Sequence, residues 1–579
     1  MKSRHEILYF LAFILAFALR FIQLGTLPLT DPEANRALQA LALANGEKIL
    51  ISGQAGYIAF TSFLFYTLES SNFWARFVPA FTGSFIVFLP YFLHKNHHTS
   101  FLPSEKGKTG PFPRGGKTKM RIIAAFLLAI APGLVAVSRQ ATGTMLAITF
   151  GAYAWVLWQK NQPQWAGIFA GVALLGGASV WTGLVGIMLT WAIARHLLPP
   201  ADVEEGQPSP NQAQSEGTKL KTTAIYMGGT LLLVSTRLLI SPNGIGAFFN
   251  SIANYLQSWL STSGVPFTHI LLGLLVYYPF ALFFGGIAIE RAVKNKNHQN
   301  LTLALWAGIA IALALIYPAR QVSDLIWAGI PLWLLTATEL SRYFRLPTFE
   351  RNETLGVFAL TFTLLVFAWL NLAATGILPD NIPFTTSHQI LLAASIGLLI
   401  LSLVLIAFGW SEEVAKLGGT WGITLGLAIY TLGTAWGSTG LRTPKGVEIW
   451  DSAPRVAQAG LLANTVEQIS TWSRGDARSL EIVLTGIDSP ALNWTLRNHN
   501  LNEVAALDSS TAPDLLLTPY TDDVGLADSY RGQSFTWRKT PDWVLMNNLP
   551  KWIVLREMPE TYEKIILWAR NDLFFDSQN

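Results

Sequence analysis

Cysteine is absent from the 579-residue sequence. Thiol catalysis, disulfide bonds and thiolate metal sites are therefore excluded. Charge is scarce as well, with Asp, Glu, Lys and Arg making up 13% of the chain against 51% apolar residues. Such a composition does not belong to an ordinary soluble protein. The formal net charge is only +4, and the basic residues gather in loops between apolar runs. That distribution is the positive-inside bias of a membrane protein, and it argues against a nucleic-acid partner. The alternation of a transmembrane barrel is also missing, because the apolar runs are continuous.

What the chain does contain is a succession of apolar runs between residues 7 and 437, each of roughly twenty residues and long enough to cross a hydrocarbon core of about 30 Å. They predict a polytopic α-helical membrane protein with about 13 transmembrane helices, the N-terminus inside, and a small C-terminal extracytoplasmic α/β domain. Lys2 and Arg4 precede the first run, 7 to 24, and no small-residue cleavage site precedes Asp31. The run reads as an uncleaved first span of a multi-pass plasma-membrane protein. Loop 94 to 121, with Lys95, Lys106, Lys108, Arg114, Lys117, Lys119 and Arg121, is the strongest cytoplasmic marker. Its run Pro111 to Thr118 mimics a phosphate-binding loop, but no strand precedes it.

The block 165 to 198 reads as a hairpin of two spans turning near 176 to 182. Loop 199 to 221 is low-complexity and reads as disordered. Phe248, Phe249, Ile252, Tyr255, Leu256, Trp259 and Leu260 recur at helical spacing and predict an interfacial helix over the first loop. Spans eight to thirteen follow at 269–290, 301–317, 323–340, 355–374, 388–409 and 419–437. The composition turns polar past 440, which divides the chain into a transmembrane domain, 1–440, and a soluble domain, 441–579. In the latter we expect helices at 451–473 and 490–498, strands near 480–484, 504–507 and 515–517, and a closing helix over 565–575.

The outer loop 25–72 carries the strongest chemistry. Asp31 and Glu33 lie just past the first span, where a carboxylate can take a proton from an acceptor hydroxyl or hold a divalent ion. Asp31 also suits the cap of a helix beginning at Pro32. Arg139, in the tight outer turn 138–142, and Arg320, before span ten, are candidate ligands for a lipid phosphate. Arg320 and Asp324 are spaced to pair with each other on a helix. Tyr57, in the aromatic stretch of the first loop, and His269, at the start of span eight, complete the candidate contacts for lipid phosphate or sugar. A catalytic reading expects Asp31, Glu33 and at least one of the two arginines to line one outward cavity.

The stretch Leu24-Gly25 through Pro28-Leu29 with Asp31, Glu33 and Ala34, followed by Ala75-Arg76-Phe77-Val78-Pro79 and later by Ala131-Pro132-Gly133 with Ser138-Arg139, resembles the GT-C membrane glycosyltransferases. The likeness is to their family 39 type, which includes protein O-mannosyltransferases and the aminoarabinose transferase. The resemblance implies an enzyme that transfers a sugar, with inversion, from a polyprenyl-phosphate donor to a protein, lipid or glycan acceptor on the extracytoplasmic face. It gives Asp31 the place of the catalytic carboxylate, with Glu33 as helper, and allows a divalent metal ion (Mg or Mn) at Asp31 and Glu33. The other class of protein compatible with the chain is a non-catalytic one, such as a lipid-sugar transporter or a flippase-associated subunit. A transporter is expected to carry ionisable groups at mid-membrane and repeated halves.

Overall fold

A computed structural model describes residues 2–51, 53–92, 114–197, 210–262, 264–344, 350–377, 383–442, 446–451, 453–507, 512–521, 529–546 and 548–574. Most of the basic loop 94–121, and the start of the phosphate-loop mimic within it, lie outside these residues. Among the described residues, five helices are long and apolar enough to cross a membrane, or up to seven if each of two bent helix pairs is one span. Some other expected spans are covered by shorter helices, such as Thr144–Gln159 and Pro163–Leu174.

Proline explains where the expected spans break. The apolar stretch 121–137, expected as one span, is two helices, ending at Ile130 and beginning again at Pro132, bent by 51°. Expected span eight is likewise two, Phe267–Tyr277 and Pro279–Lys294, bent by 83° about Tyr278. A prolyl ring removes a backbone donor and clashes with the preceding turn, so each helix restarts at its proline, the position that tolerates it. The 165–198 block is a hairpin of Pro163–Leu174 and Ser179–Leu197. Its turn abuts the start of Thr144–Gln159 so closely that a Cβ on Gly143 would lie 2.6 Å from the Gly176 carbonyl oxygen. Part of the expected disordered loop, from residue 210 onward, instead extends helix Pro210–Ser235.

The first loop folds as two helices, Asp31–Ala44 and Ala55–Thr67, and the chain then continues into Asn72–Phe85, part of a stretch long and apolar enough to cross a membrane. Helix Gly244–Gln257 forms where the aromatic spacing predicts one. It buries Ala247, Ser251 and Tyr255 and leaves Phe249 and Leu256 exposed, as an interfacial helix does.

The C-terminal domain is a six-stranded mixed sheet flanked by helices. Its strands are β1 (Arg455–Val456), β2 (Glu481–Thr485), β3 (Asn500–Val504), β4 (Leu515–Pro519), β5 (Tyr530–Pro541) and β6 (Glu560–Arg570), in the order β1-β5-β6-β4-β2-β3. Strand β2 runs parallel to β3 and β4, whereas β5 and β6 form a long antiparallel pair. Two expectations are corrected here. The predicted closing helix over 565–575 is mostly β6, whose Thr, Tyr, Ile and Trp residues suit a pleated, half-buried surface better than a helix. The predicted helix at 451–473 begins only at Ala459, after β1. A bulge in β5 between Thr536 and Arg538 breaks the register with β6, and bulges of this kind re-aim the side chains beside them.

Because the neighbour of Gly143 is backbone, Gly143→Ala is expected to lower the unfolding temperature in detergent, costing about 1–3 kcal/mol from overpacking. Gly228→Ala, with nothing within 4 Å of the added carbon, is expected to be neutral or slightly stabilising.

Candidate active site at the first-loop face

The first-loop helix begins at Thr30, which takes the N-cap place, so Asp31 is the first helical residue rather than the cap. This shift has a geometric consequence. Residues i and i+2 do not share a helix face, and Asp31 and Glu33 accordingly point to different partners.

Glu33 faces the membrane domain. Arg76, from the start of Asn72–Phe85, grips it in a bidentate pair, with Nε donating to Oε1 at 3.0 Å and Nη2 to Oε2 at 2.8 Å. The backbone N–H of Ala141 donates to Oε1 at 2.8 Å, and the Thr30 N–H to Oε2 at 3.0 Å. Both partners of the ion pair are buried. Burial alone would push the Glu33 carboxyl up, but Arg76 and the two backbone donors outweigh it and hold the group down at about 2. The same arginine donates to the Leu27 and Pro28 carbonyls, so one guanidinium organises the whole entry to the helix.

Asp31 faces the C-terminal domain. Ser489 Oγ donates to its Oδ1 at 2.6 Å, the Ala491 N–H to Oδ1 at 3.0 Å, and Arg538 Nε to Oδ2 at 2.8 Å. Arg538 lies beside the β5 bulge, and Trp537 Nε1 donates to Ser489 Oγ from the same strand. Nearby, Trp494 Nε1 donates to Asn72 Oδ1 and Arg497 Nη2 to the Ser70 carbonyl. Asp31 is the charged centre of this docking surface.

The remaining expected residues go elsewhere. Arg139 donates to the carbonyls of Leu19, Arg20 and Ile22, closing the C-terminal end of the first helix, where unpaired carbonyls and the helix dipole favour a cation. Arg320 donates to the Tyr317 and Val265 carbonyls. Asp324 does not pair with it but accepts from the Gln321 N–H at 2.9 Å. The helical spacing argument does not apply there, because Arg320 precedes the short turn Val322–Leu325. Tyr57 is fully buried and donates to the Ala75 carbonyl at 2.7 Å. His269 packs against Trp543 with ring centres 4.4 Å apart. Asp31, Glu33 and the two arginines thus do not converge on one cavity. Glu33 does adjoin the 138–142 turn, through Ala141.

Two residues at this junction were not singled out from the sequence. Arg36, one turn beyond Glu33 on the same helix, donates through Nε to the Ala141 carbonyl at 2.8 Å. Its two Nη groups meet no acceptor among the described residues, and it is half-buried. Its spacing of three from Glu33 was the available signal. Asp451 follows Trp450, whose carbonyl accepts from Gln140 Nε2 at 3.0 Å. Its carboxylate takes no hydrogen bond from a described residue and is exposed. No sequence signal marked it.

For a divalent metal, the donor set does not fit. Each expected carboxylate already holds a guanidinium, the two point apart, and no group of three His, Asp or Glu side chains suited to a metal occurs among the described residues.

In sequence, no family model and no curated protein matches the chain. Solved structures do match its fold. ArnT from Cupriavidus metallidurans, bound to undecaprenyl phosphate, aligns with a TM-score of 0.50 at 14% identity over 86% of this chain and 86% of that one. The same protein in its apo state gives 0.50 at 13% identity over 88% and 87%. AglB from Archaeoglobus fulgidus, an archaeal oligosaccharyltransferase, aligns at 0.46 and 11% over 86% of this chain and 64% of that one. The chain therefore shares the fold of ArnT, and its long apolar helices are those of an integral membrane protein.

Removing Arg76 leaves a buried carboxylate without its partner. Arg76→Ala is expected to cost about 3–5 kcal/mol at neutral pH, measured by unfolding in detergent. Because the Glu33 carboxyl is depressed from 4.5 to about 2, the stability it contributes is present above about pH 4.5 and is lost as pH falls towards 2. The gap between wild type and Glu33→Gln is expected to close over that window.

Proposed function

We propose that the protein is a GT-C-type glycosyltransferase of the family 39 kind, which moves a sugar from a polyprenyl-phosphate donor to an acceptor on the extracytoplasmic face, with inversion. The observation that carries this reading is the pairing of the ArnT-like fold with a first-loop arginine that has donors to spare. ArnT has been captured with undecaprenyl phosphate, and Arg36 offers two Nη groups that meet no acceptor among the described residues, in the fork geometry that suits a phosphate. In this reading Arg36 grips the donor phosphate, Glu33 and Arg76 frame the floor, and the C-terminal domain lies on the extracytoplasmic side. Asp31, the carboxylate the resemblance favours, becomes available as a base only when Ser489 and Arg538 withdraw. A mannosyl or other hexosyl group is the sugar class favoured by the family 39 likeness.

A second reading has its own support. Both expected carboxylates are saturated with donors, as suits a membrane protein that binds a lipid-linked sugar without transferring it.

Proteoliposomes of the full chain, supplied with undecaprenyl-phosphate-linked hexoses or aminopentoses and a detergent extract of cell envelopes as acceptor source, separate the two. Release of undecaprenyl phosphate together with labelled product is expected. Saturable binding with no release from any donor would favour the second reading. Arg36→Ala is expected to weaken undecaprenyl-phosphate binding by roughly 10- to 100-fold, the worth of a charge-assisted contact. Asp31→Asn tests the first-loop carboxylate, and unimpaired transfer would remove Asp31 from the chemistry.

A further inference from the structure

Backbone strain is concentrated in one turn. Arg237, Leu238 and Leu239 follow one another in the left-handed region, with φ of 50°, 57° and 71°. They join helix Pro210–Ser235 to the interfacial helix Gly244–Gln257. Elsewhere among the described residues, non-glycine residues in this region stand singly. The conformation is costly for any residue with a Cβ, and glycine or asparagine is its usual occupant. Neither is used here; the turn keeps an arginine and two leucines instead. Strain of this kind persists only where neighbouring contacts over-determine it, and it gathers at binding and switching sites.

The contacts that hold the turn are explicit. Thr236 is buried, and its Oγ1 donates to the Leu232 carbonyl at 2.6 Å while accepting from the Leu239 N–H at 3.0 Å. The Thr236 carbonyl accepts from the Ser241 N–H at 2.9 Å. Gly244 closes the turn, since a Cβ there would fall 1.7 Å from the Ser235 carbonyl oxygen. The Arg237 side chain has a partner as well: Nη1 donates at 2.7 Å to the carbonyl of Leu43, near the end of helix Asp31–Ala44. Leu231 and Val234 pack against the apolar cluster that contains Leu43. The turn is thereby fastened to the far end of the first-loop helix.

The leucines have no such assignment within the protein. Leu238 and Leu239 are 72% and 63% exposed, and Ile240 beside them is 75% exposed. Lipid tails can cover apolar side chains anywhere on a membrane protein, and they need no backbone strain to do so. Position sets these residues apart. Arg36 precedes Leu43 by seven residues on one helix, about 10 Å at 1.5 Å per residue, and Leu43 is where the turn is fastened. A hydrocarbon chain whose phosphate sits at Arg36 can reach the leucines with the units nearest the phosphate. The turn also leads straight into the interfacial helix, so its leucines stand at the water boundary and lose water when a chain covers them.

We infer that Leu238 and Leu239, held outward by the strained turn, are the contact for the polyprenyl chain of the donor. This rests on the reading of Arg36 as the ligand of a polyprenyl phosphate. The two ends of the first-loop helix then divide the donor by its chemistry, with the charge at Arg36 and the first isoprene units at the leucines. Apolar contact adds affinity in proportion to the area removed from water, so the arrangement selects a donor with a long hydrocarbon chain over a phosphate that lacks one.

The test measures binding to the full chain in phosphatidylcholine nanodiscs, with two ligands: undecaprenyl phosphate, and dimethylallyl phosphate, which keeps the phosphate on a single isoprene unit. In the double variant Leu238→Asn, Leu239→Asn the new residues suit the left-handed backbone better than leucine does, so the unfolding temperature is expected to hold or rise. Undecaprenyl phosphate binding is nevertheless expected to weaken by about 10- to 100-fold, the worth of one or two leucine side chains lost from an apolar contact. Dimethylallyl phosphate binding is expected to stay unchanged. Leu238→Met with Leu239→Met, apolar and of similar volume, is expected to keep the long-chain affinity. An undecaprenyl phosphate carrying a diazirine in its first isoprene units is expected to label the peptide holding residues 237–240, with the label competed by undecaprenyl phosphate and not by added phosphatidylcholine. Unchanged undecaprenyl phosphate binding in the asparagine variant overturns the inference and means that bilayer lipid covers the leucines. Equal weakening for both ligands overturns it too, because the loss then lies at the phosphate, and so does a label competed by phosphatidylcholine. In each of these cases wild type still binds undecaprenyl phosphate and the donor reading stands. A wild-type chain that binds neither ligand removes the donor reading itself, and this inference with it.

Discussion

The buried pair of Glu33 and Arg76 is the contact on which the first-loop face depends. It joins a helix outside the apolar spans to the top of a helix within them, and it recruits the Ala141 N–H from a third segment. Two charges withdrawn from water are stabilising only when their geometry is good and their remaining hydrogen-bonding capacity is met. Both conditions hold here, because Arg76 also serves the Leu27 and Pro28 carbonyls and Glu33 also serves Thr30. The pair thus sets where Arg36 and the 138–142 turn stand relative to one another.

A consistent division of labour among the arginines follows from this frame. Arg139, Arg320 and Arg76 are spent on backbone carbonyls or on a carboxylate, and they shape the scaffold. Arg538 is spent on docking. Arg36 has the opposite character: its Nε–H fixes its position, and its Nη groups meet no acceptor among the described residues. Positioning by one contact while leaving the remaining donors free is what a preorganised ligand for an anion requires.

Much of the architecture was legible in the sequence, because apolar runs and prolines act locally. The hairpin between Pro163 and Leu197 follows from the length of its apolar block and the parity of the spans, and the helix Gly244–Gln257 from residue spacing. The misreadings have equally local causes. The 565–575 stretch was read as a helix from its apolar content, although the Thr and Tyr residues preceding it favour a strand. The spans expected at 121–137 and 269–290 run through Pro132 and Pro279 as though proline were neutral. The site was far less legible. The rule that residues two apart on a helix face different ways would have separated Asp31 from Glu33, once the helix start was known. No local rule reveals that Asp31 meets Arg538 across 507 residues of sequence, or that Gln140 meets the Trp450 carbonyl.

That separation also bears on how the protein is made. Asp31 is among the first residues past the first span to leave the ribosome, whereas Ser489 and Arg538 follow 458 and 507 residues later. At about 5–20 residues per second, the loop waits on the order of half a minute or more with its acidic helix start uncovered. A chain stopped before β5 lacks Arg538, so the contact at Asp31 forms only once that strand has been made.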